Sequence, residues 1–222
     1  MNFKELLDVD LNKYTKSILP LRQGALASEY NSVIGDYSRN YLSQKNRIIP
    51  VYKSTITHGN HCYDRLLNYL QNIPYKTVLD LGCASGELLH IISKQKNIHD
   101  LYGMSICTGE VKYARDVYNL KNVIPGDMRN CDTIFNGYNF DIILLHCVLQ
   151  FINTDERILL AKNINNLLTP NTGKLIVVDY RKEECSQMPV TEELLKIYNV
   201  ENINNNLFSM GNITVFTKFN KN

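Results

Sequence analysis

From residue 77 onward, short continuously apolar runs alternate with longer segments whose apolar residues recur every three or four positions. Thr77-Val78-Leu79-Asp80-Leu81, Asp100-Leu101-Tyr102-Gly103-Met104 and Asn122-Val123-Ile124 read as the first three strands. Phe140-Asp141-Ile142-Ile143-Leu144-Leu145 and Leu175-Ile176-Val177-Val178-Asp179 read as the fourth and fifth. Runs apolar at every position are expected where helices cover both faces of a sheet. Between them, Leu88, Leu89, Ile91 and Ile92 mark one helix face, and Val111, Ala114 and Tyr118 mark a second. Leu160, Ile164, Leu167 and Leu168 mark a third, opened by a capping box of Asn153 with Glu156 and closed by Pro170 and Gly173. This alternation predicts an α/β fold with a doubly wound, mostly parallel sheet.

The two ends read differently. Before about residue 75 the pattern is helical and aromatic: Leu26, Tyr30, Val33, Tyr37 and Tyr41 form one stripe, and Tyr63, Leu66, Leu67 and Leu70 form another. Ile48-Ile49-Pro50-Val51-Tyr52 between them is expected to be extended, because Pro50 restrains its predecessor. At the other end, a helix is predicted near residues 192–198. Leu207 to Met210 and Ile213 to Phe219 then flank Gly211-Asn212, a two-residue hairpin signal. The expected organisation is a helical lid or substrate-binding segment over residues 1–75 and a nucleotide-binding core over residues 76–222, edged by an antiparallel hairpin.

The first strand runs into Asp80-Leu81-Gly82-Cys83-Ala84-Ser85-Gly86. Glycine lets the backbone turn tightly and lie against a ligand. The small residues fall at 82, 84 and 86, one residue tighter than a dinucleotide fingerprint, and the Gly-Lys-Ser/Thr of a phosphate loop is absent. An acid beside the turn disfavours a phosphate and favours a cationic or amine-bearing ligand.

Composition narrows the function classes. With 44% hydrophobic and 21% charged residues the chain is ordinary for a soluble globular protein. A net charge of +2, with basic and acidic residues interleaved, argues against a nucleic-acid binder. Six cysteines without a Cys-x-x-Cys pair point to reduced thiols rather than a metal site, hence to the cytoplasm. The amino terminus carries acids where a signal peptide would be apolar, and no stretch is long enough to span a bilayer.

Over residues 63–219 the chain resembles the class I methyltransferase family. Val78-Leu79-Asp80-Leu81-Gly82-Cys83-Ala84-Ser85-Gly86 is similar to that family's first motif, with Ala84 in place of its middle glycine. Gly126-Asp127-Met128 is similar to the third-strand motif, and Asn139-Phe140-Asp141 and Leu168-Thr169-Pro170-Asn171-Thr172-Gly173 resemble the fourth and fifth landmarks. The resemblance implies a seven-stranded Rossmann-like sheet and S-adenosylmethionine as cofactor. It places Gly82, Cys83, Ala84 and Gly86 under the methionine and ribose, and Asp80 near the amino group. It puts Asp127 at the adenine amino group and Met128 on the ring.

One departure concerns the ribose. Where the family has an acid after the second strand, this chain has Gly103-Met104-Ser105-Ile106-Cys107. The local pattern is similar to a subgroup that includes the cyclopropane fatty acid synthases, in which a Thr or Ser and a later Gln do this work. By that likeness Ser105 and Glu110 would share the ribose, with Ile106 also at the cofactor, unless Glu110 is simply a solvated helix residue.

For a proton acceptor near the donor methyl, His146 at the end of the fourth strand is the leading candidate. A backbone contact to the cofactor and a hydrogen-bonded core histidine are the competing readings. Tyr37 follows, as a cover for the cofactor or as a core aromatic. His58 and His61 read as capping or surface residues, and Cys147 as a small buried hydrophobe. The expected activity is methyl transfer to a nitrogen or oxygen of a small metabolite, without nucleic-acid or membrane partners. Its rivals are an RNA- or protein-directed methyltransferase and a non-catalytic cofactor-binding subunit. Oligomeric state leaves no mark on the sequence.

Overall fold

Val78, Leu79 and Leu81 are all fully buried in strand β1 (Thr77–Leu81), with both faces covered as the continuous apolar run requires. The computed structural model describes residues 1–11, 65–96, 98, 100–146, 148–149, 152, 154–179, 198–201 and 212–218. β2 (Asp100–Ser105), β3 (Val123–Pro125), β4 (Ile142–His146), β5 (Lys174–Asp179), β6 (Tyr198–Glu201) and β7 (Asn212–Lys218) complete a seven-stranded sheet in the order β3-β2-β1-β4-β5-β7-β6. β1 lies parallel to β2, pairing Asp80 with Gly103, and parallel to β4, pairing Asp80 with Leu144. β3 and β5 extend the parallel set. β7 runs antiparallel to β5 and β6.

Alternate residues of each strand feed two cores. Leu79, Leu81, Ile143, Leu145, Leu175 and Val177 point to one face, where they meet Leu160 and Ile164 of α6 (Thr154–Leu167), Ile134 of the short α5 (Cys131–Ile134), and α1 (Phe3–Leu7). Val78, Leu101, Ile142, Leu144 and Ile176 point to the other. There they meet Leu66, Leu67 and Leu70 of the described helical residues 65–71 (α2), Leu88, Leu89 and Ile92 of α3 (Glu87–Lys96), and Val111 and Ala114 of α4 (Thr108–Tyr118). The doubly wound α/β fold expected from the alternation is therefore the observed one. The strand order reverses between β1 and β4, and in such sheets ligands bind at the carboxyl ends beside that switch point.

α1 is an element that hydropathy alone does not reveal. Asn2 caps it in a capping box: its side chain accepts from the Glu5 N–H, and the Glu5 carboxylate accepts from the Asn2 N–H at 3.0 Å. Phe3 packs against Tyr102, Phe135 and Tyr138. Arg115 of α4 donates to the carbonyls of Leu7 (3.1 Å), Leu6 (3.4 Å) and, through Nε, Val123 of β3 (2.7 Å), which ties α1 to the sheet edge.

The carboxyl-terminal pair differs from expectation. The antiparallel partner of β7 is Tyr198–Glu201, in a register that opposes Glu201 to Val215 and Tyr198 to Lys218. A two-residue turn at Gly211-Asn212 would instead pair residue 210 with 213, and Asn212 is itself a β7 residue opposite Asp179. Tyr198 is thus strand rather than the end of a helix, because pairing with β7 decides a segment whose local pattern is too short to do so. Residues 202–211, including Leu207 to Met210, lie outside the described residues, as do the Asn153 cap, the 26–41 stripe, the 48–52 segment and Tyr63.

Candidate functional site

The turn after β1 is built by three residues with positive φ: Gly82 (84°), Ala84 (48°) and Gly86 (79°). The N–H groups of Gly82 and Cys83 both donate to the Met104 carbonyl, at 2.8 and 3.0 Å, binding the turn to the end of β2. Gly86 N–H then donates to the Cys83 carbonyl at 2.9 Å as α3 begins. A Cβ on Gly82 would lie 2.4 Å from Val148 Cγ1 and 3.2 Å from its Cβ, so Gly82 is required by space as well as by φ, and Gly86 by φ. Ala84 carries the same left-handed backbone where the family's first motif has glycine; one methyl group is tolerated there at modest strain.

Asp80 is 2% exposed near the carboxyl end of β1, and its Oδ1 has no hydrogen-bond partner. Burial alone pushes its carboxyl up to about 7, because no donor stabilises the ionised form. Cys83, also buried, has its thiol held up first by burial and then by the charges of Asp80 and Glu110. The thiol therefore stays protonated and serves as a small hydrophobe.

At the end of β2, Ser105 is 3% exposed; its Oγ donates to Glu110 Oε2 at 2.6 Å and accepts from Cys107 N–H at 3.1 Å. The two residues expected to share the ribose are therefore joined to one another, and the serine aims the Glu110 carboxylate from the first turn of α4. Ile106 lies between them, half-buried. Gly126 N–H donates to the Ser105 carbonyl at 2.9 Å, which sets the end of β3 beside the end of β2.

Asp127 follows, 6% exposed, but its carboxylate is already engaged. Oδ1 accepts from Arg129 N–H and Nε, both at 3.0 Å, and Oδ2 accepts from Arg129 Nε at 2.8 Å and from Arg129 Nη2. Arg129 Nη1 bonds Glu156 of α6, completing an acid–base–acid chain, and Asn163 Nδ2 donates to the Arg129 carbonyl at 2.8 Å. The carboxylate predicted to meet an adenine amino group is thus paired with its own neighbour, whose three N–H groups leave about one of its four acceptor positions open. Sequence reasoning reads Glu156 only as a capping residue and does not single out Arg129, since only the fold brings the two together. The Asp-x-Arg spacing was the sole local sign. Met128 lies buried at the start of this turn.

His146 ends β4, half-buried, and burial lowers its imidazole to about 4, so it is neutral at physiological pH. Tyr37, His58, His61 and Cys147 lie outside the described residues. The fourth landmark has a structural duty at the opposite end of the strands: Asp141 accepts from the N–H groups of Lys76 (2.8 Å) and Thr77 (3.1 Å) and from Thr169 Oγ1 (3.0 Å). Partial burial pushes its carboxyl up, but these bonds outweigh it and hold the carboxyl below its usual value. Among the described residues no helix is long and apolar enough to cross a membrane, and no cluster of His, Cys, Asp and Glu is placed to hold a metal ion.

A methyltransferase-domain family model matches residues 74–215, the whole of this strand-end site included. The chain belongs to the S-adenosylmethionine-dependent class I methyltransferases. The methyltransferase shares its fold with magnesium protoporphyrin IX methyltransferase (ChlM) from Synechocystis PCC 6803, solved with S-adenosylmethionine bound: TM-score 0.61, 17% identity, 89% of this chain and 100% of that one covered. The N-methyltransferase NodS from Bradyrhizobium japonicum WM9 superposes with TM-score 0.59 at 15% identity, covering 73% and 97% of the two chains. A TehB-like methyltransferase from Corynebacterium glutamicum does so with TM-score 0.56 at 19%, covering 77% and 97%. At these identities the likeness is one of fold. No curated protein sequence matches the chain.

The site fits the cofactor on its own chemistry. An unpartnered buried carboxylate oxygen at a glycine turn calls for an amine or other cationic donor, and S-adenosylmethionine carries both an ammonium and a sulfonium group.

Proposed function

We propose that this methyltransferase transfers a methyl group to a nitrogen or oxygen of a small-molecule metabolite, with the stretch between α1 and α2 as the candidate lid over the acceptor. The pairing that carries this reading is the open Asp80 carboxylate on β1 with the neutral His146 imidazole on the adjacent strand β4. Asp80 takes the amino group of the cofactor, the Gly82–Gly86 turn passes beneath its methionine and ribose parts, and Glu110, steadied by Ser105, takes the ribose hydroxyls. When bound, S-adenosylmethionine supplies an electrophilic methyl group on sulfur.

The protein's contribution is then chiefly to hold donor and acceptor in line. His146 can take a proton from an incoming N–H or O–H, but with its imidazole near 4 it is a weak base, so positioning dominates. Tyr37 is the candidate to cover the site from the lid. The near-neutral charge balance favours a small acceptor over a polyanion.

The test is release of S-adenosylhomocysteine from S-adenosylmethionine against panels of small amines, phenols and carboxylates, with total RNA and unfolded protein as separate arms. Turnover confined to a small-molecule arm supports the reading. Turnover confined to RNA, and lost with added salt, or confined to protein, overturns it.

A further inference from the structure

Val148, Leu149 and Ile152, between β4 and α6, are all buried on the face of the sheet that carries α6. Val148 lies against the glycine turn, its Cγ1 in the space that a Cβ on Gly82 would need. The β1–β4 ladder ends at Asp80–Leu144, two residues short of His146, whereas the β4–β5 ladder runs on to His146–Val178. The two strands therefore part beside His146, and the stretch beyond it is held from α6. Arg157, in the first turn of α6, makes one such bond. Its Nε donates to the Leu149 carbonyl at 3.2 Å, and the Ile152 N–H closes a turn on the same oxygen at 3.1 Å. Arg157 is 5% exposed. A guanidinium rarely lies so far from water without partners, and its planar head directs its N–H groups more sharply than an ammonium does. The residue before it, Glu156, holds Arg129 on the β3 side. Two successive side chains of one helical turn thus tie α6 to opposite sides of the strand ends.

We infer that Arg157 is a positioning residue for the acceptor: by holding the Leu149 carbonyl it keeps Val148 on the glycine turn and His146 in place beside the crevice between β1 and β4. The inference rests on the function proposed above and adds a residue to it. Arg157 acts through this stretch of chain rather than on the reacting atoms. Without its bond the turn at Leu149 loses one of its two donors, and water gains access to His146. The glycine turn is bound to the Met104 carbonyl and Ser105 to Glu110, so the cofactor side keeps its shape.

An NMR titration of the His146 imidazole in the full chain decides this, with His146→Gln used to assign its signal and calorimetric binding of S-adenosylhomocysteine run alongside. Burial holds the imidazole at about 4, so its midpoint reports how well the stretch after β4 keeps water out. In Arg157→Met the midpoint should rise to about 5 or above, while S-adenosylhomocysteine affinity stays within about threefold. Arg157→Lys keeps a charge and a donor without the planar fork and should fall between the two. Glu156→Gln loosens the same helical turn on its other side and should leave the midpoint where it is in the unaltered protein. A midpoint unmoved in whichever Arg157 variant folds overturns the inference. An equal rise in Glu156→Gln overturns it too, because a merely structural loss in α6 would produce that. A loss of S-adenosylhomocysteine affinity of about tenfold or more in Arg157→Met would place the residue on the cofactor side and is equally fatal. If S-adenosylhomocysteine does not bind the unaltered protein, the cofactor reading fails by itself, and the His146 titration still decides whether Arg157 holds this stretch.

Discussion

Asp80 permits a prediction in which stability and ligand binding respond to pH in opposite directions. Its carboxyl is raised from the ordinary 3.8 to about 7 by burial. The folded state therefore favours the protonated form, and that contribution is complete below the unfolded value and lost as pH rises through about 7. At about 1.4 kcal/mol per pH unit this rise is worth about 4 kcal/mol, of which about 3 kcal/mol falls between pH 5 and 8. Asp80→Asn is neutral at every pH and of nearly the same shape. Urea denaturation of both proteins at pH 5 and 8 should show the unaltered protein losing about 3 kcal/mol relative to the variant. Binding should run the other way. An ammonium ligand needs the ionised carboxylate, so S-adenosylhomocysteine should bind more tightly as pH rises from 5 to 7, releasing a proton that calorimetry in two buffers can count. Asp80→Asn should bind it about 10- to 100-fold more weakly, the loss of one charged hydrogen bond, without pH dependence. Parallel stability profiles, within about 0.5 kcal/mol across this range, would refute the reasoning, because the carboxyl would then be solvated in the folded state.

Other residues give sharper single outcomes. Gly82→Val combines a φ of 84° with a Cβ 2.4 Å from Val148 Cγ1, and thermal unfolding should show a loss of at least about 2 kcal/mol. Asp141→Ala leaves the Lys76 and Thr77 N–H groups without their acceptor and should cost about 1–3 kcal/mol at pH 7. Because the Asp141 carboxyl is lowered, its contribution is complete above the ordinary carboxylate range and fades as pH falls below it, so variant and parent should converge in acid denaturation. Glu110→Ala should weaken S-adenosylhomocysteine about tenfold or more while leaving the melting temperature within a few degrees. Unchanged affinity would remove Glu110 from the ribose site.

What the sequence made legible follows from what local pattern can encode. The five parallel strands announce themselves because their central positions are buried on both faces, so apolar residues run on consecutively there. The Gly82–Gly86 turn is legible because its backbone excludes most side chains at two positions. Ser105 and Glu110 lie five residues apart on one strand-to-helix corner, so their pairing could be anticipated. Arg129 and Glu156 are 27 residues apart and meet only because α6 folds back on the turn after β3, which no local pattern records. The Asp127 carboxylate therefore has a partner that the sequence does not show. Tyr198–Glu201 is a four-residue edge strand whose identity comes from the register of its partner, so the local pattern reads Tyr198 as helix and the nearby turn signal points to a different partner for β7. The Asn2-x-x-Glu5 box shows the converse: a readable helix start, overlooked because the helix it opens spans only five residues.

The fastening of α1 by Arg115 also bears on the order in which the chain takes shape. The two partners are separated by 108 residues, and the third carbonyl on the same guanidinium, Val123, lies beyond both. During synthesis at roughly 5–20 residues per second, Phe3 and Leu6 leave the ribosome many seconds before the β3 edge that receives them exists. Until then two apolar side chains on a one-turn helix have no place to be buried, and a five-residue helix does not hold itself together in water. Docking of α1 therefore waits until the chain has been made as far as Tyr138. Through that interval Phe3 and Leu6 stay exposed on the nascent chain.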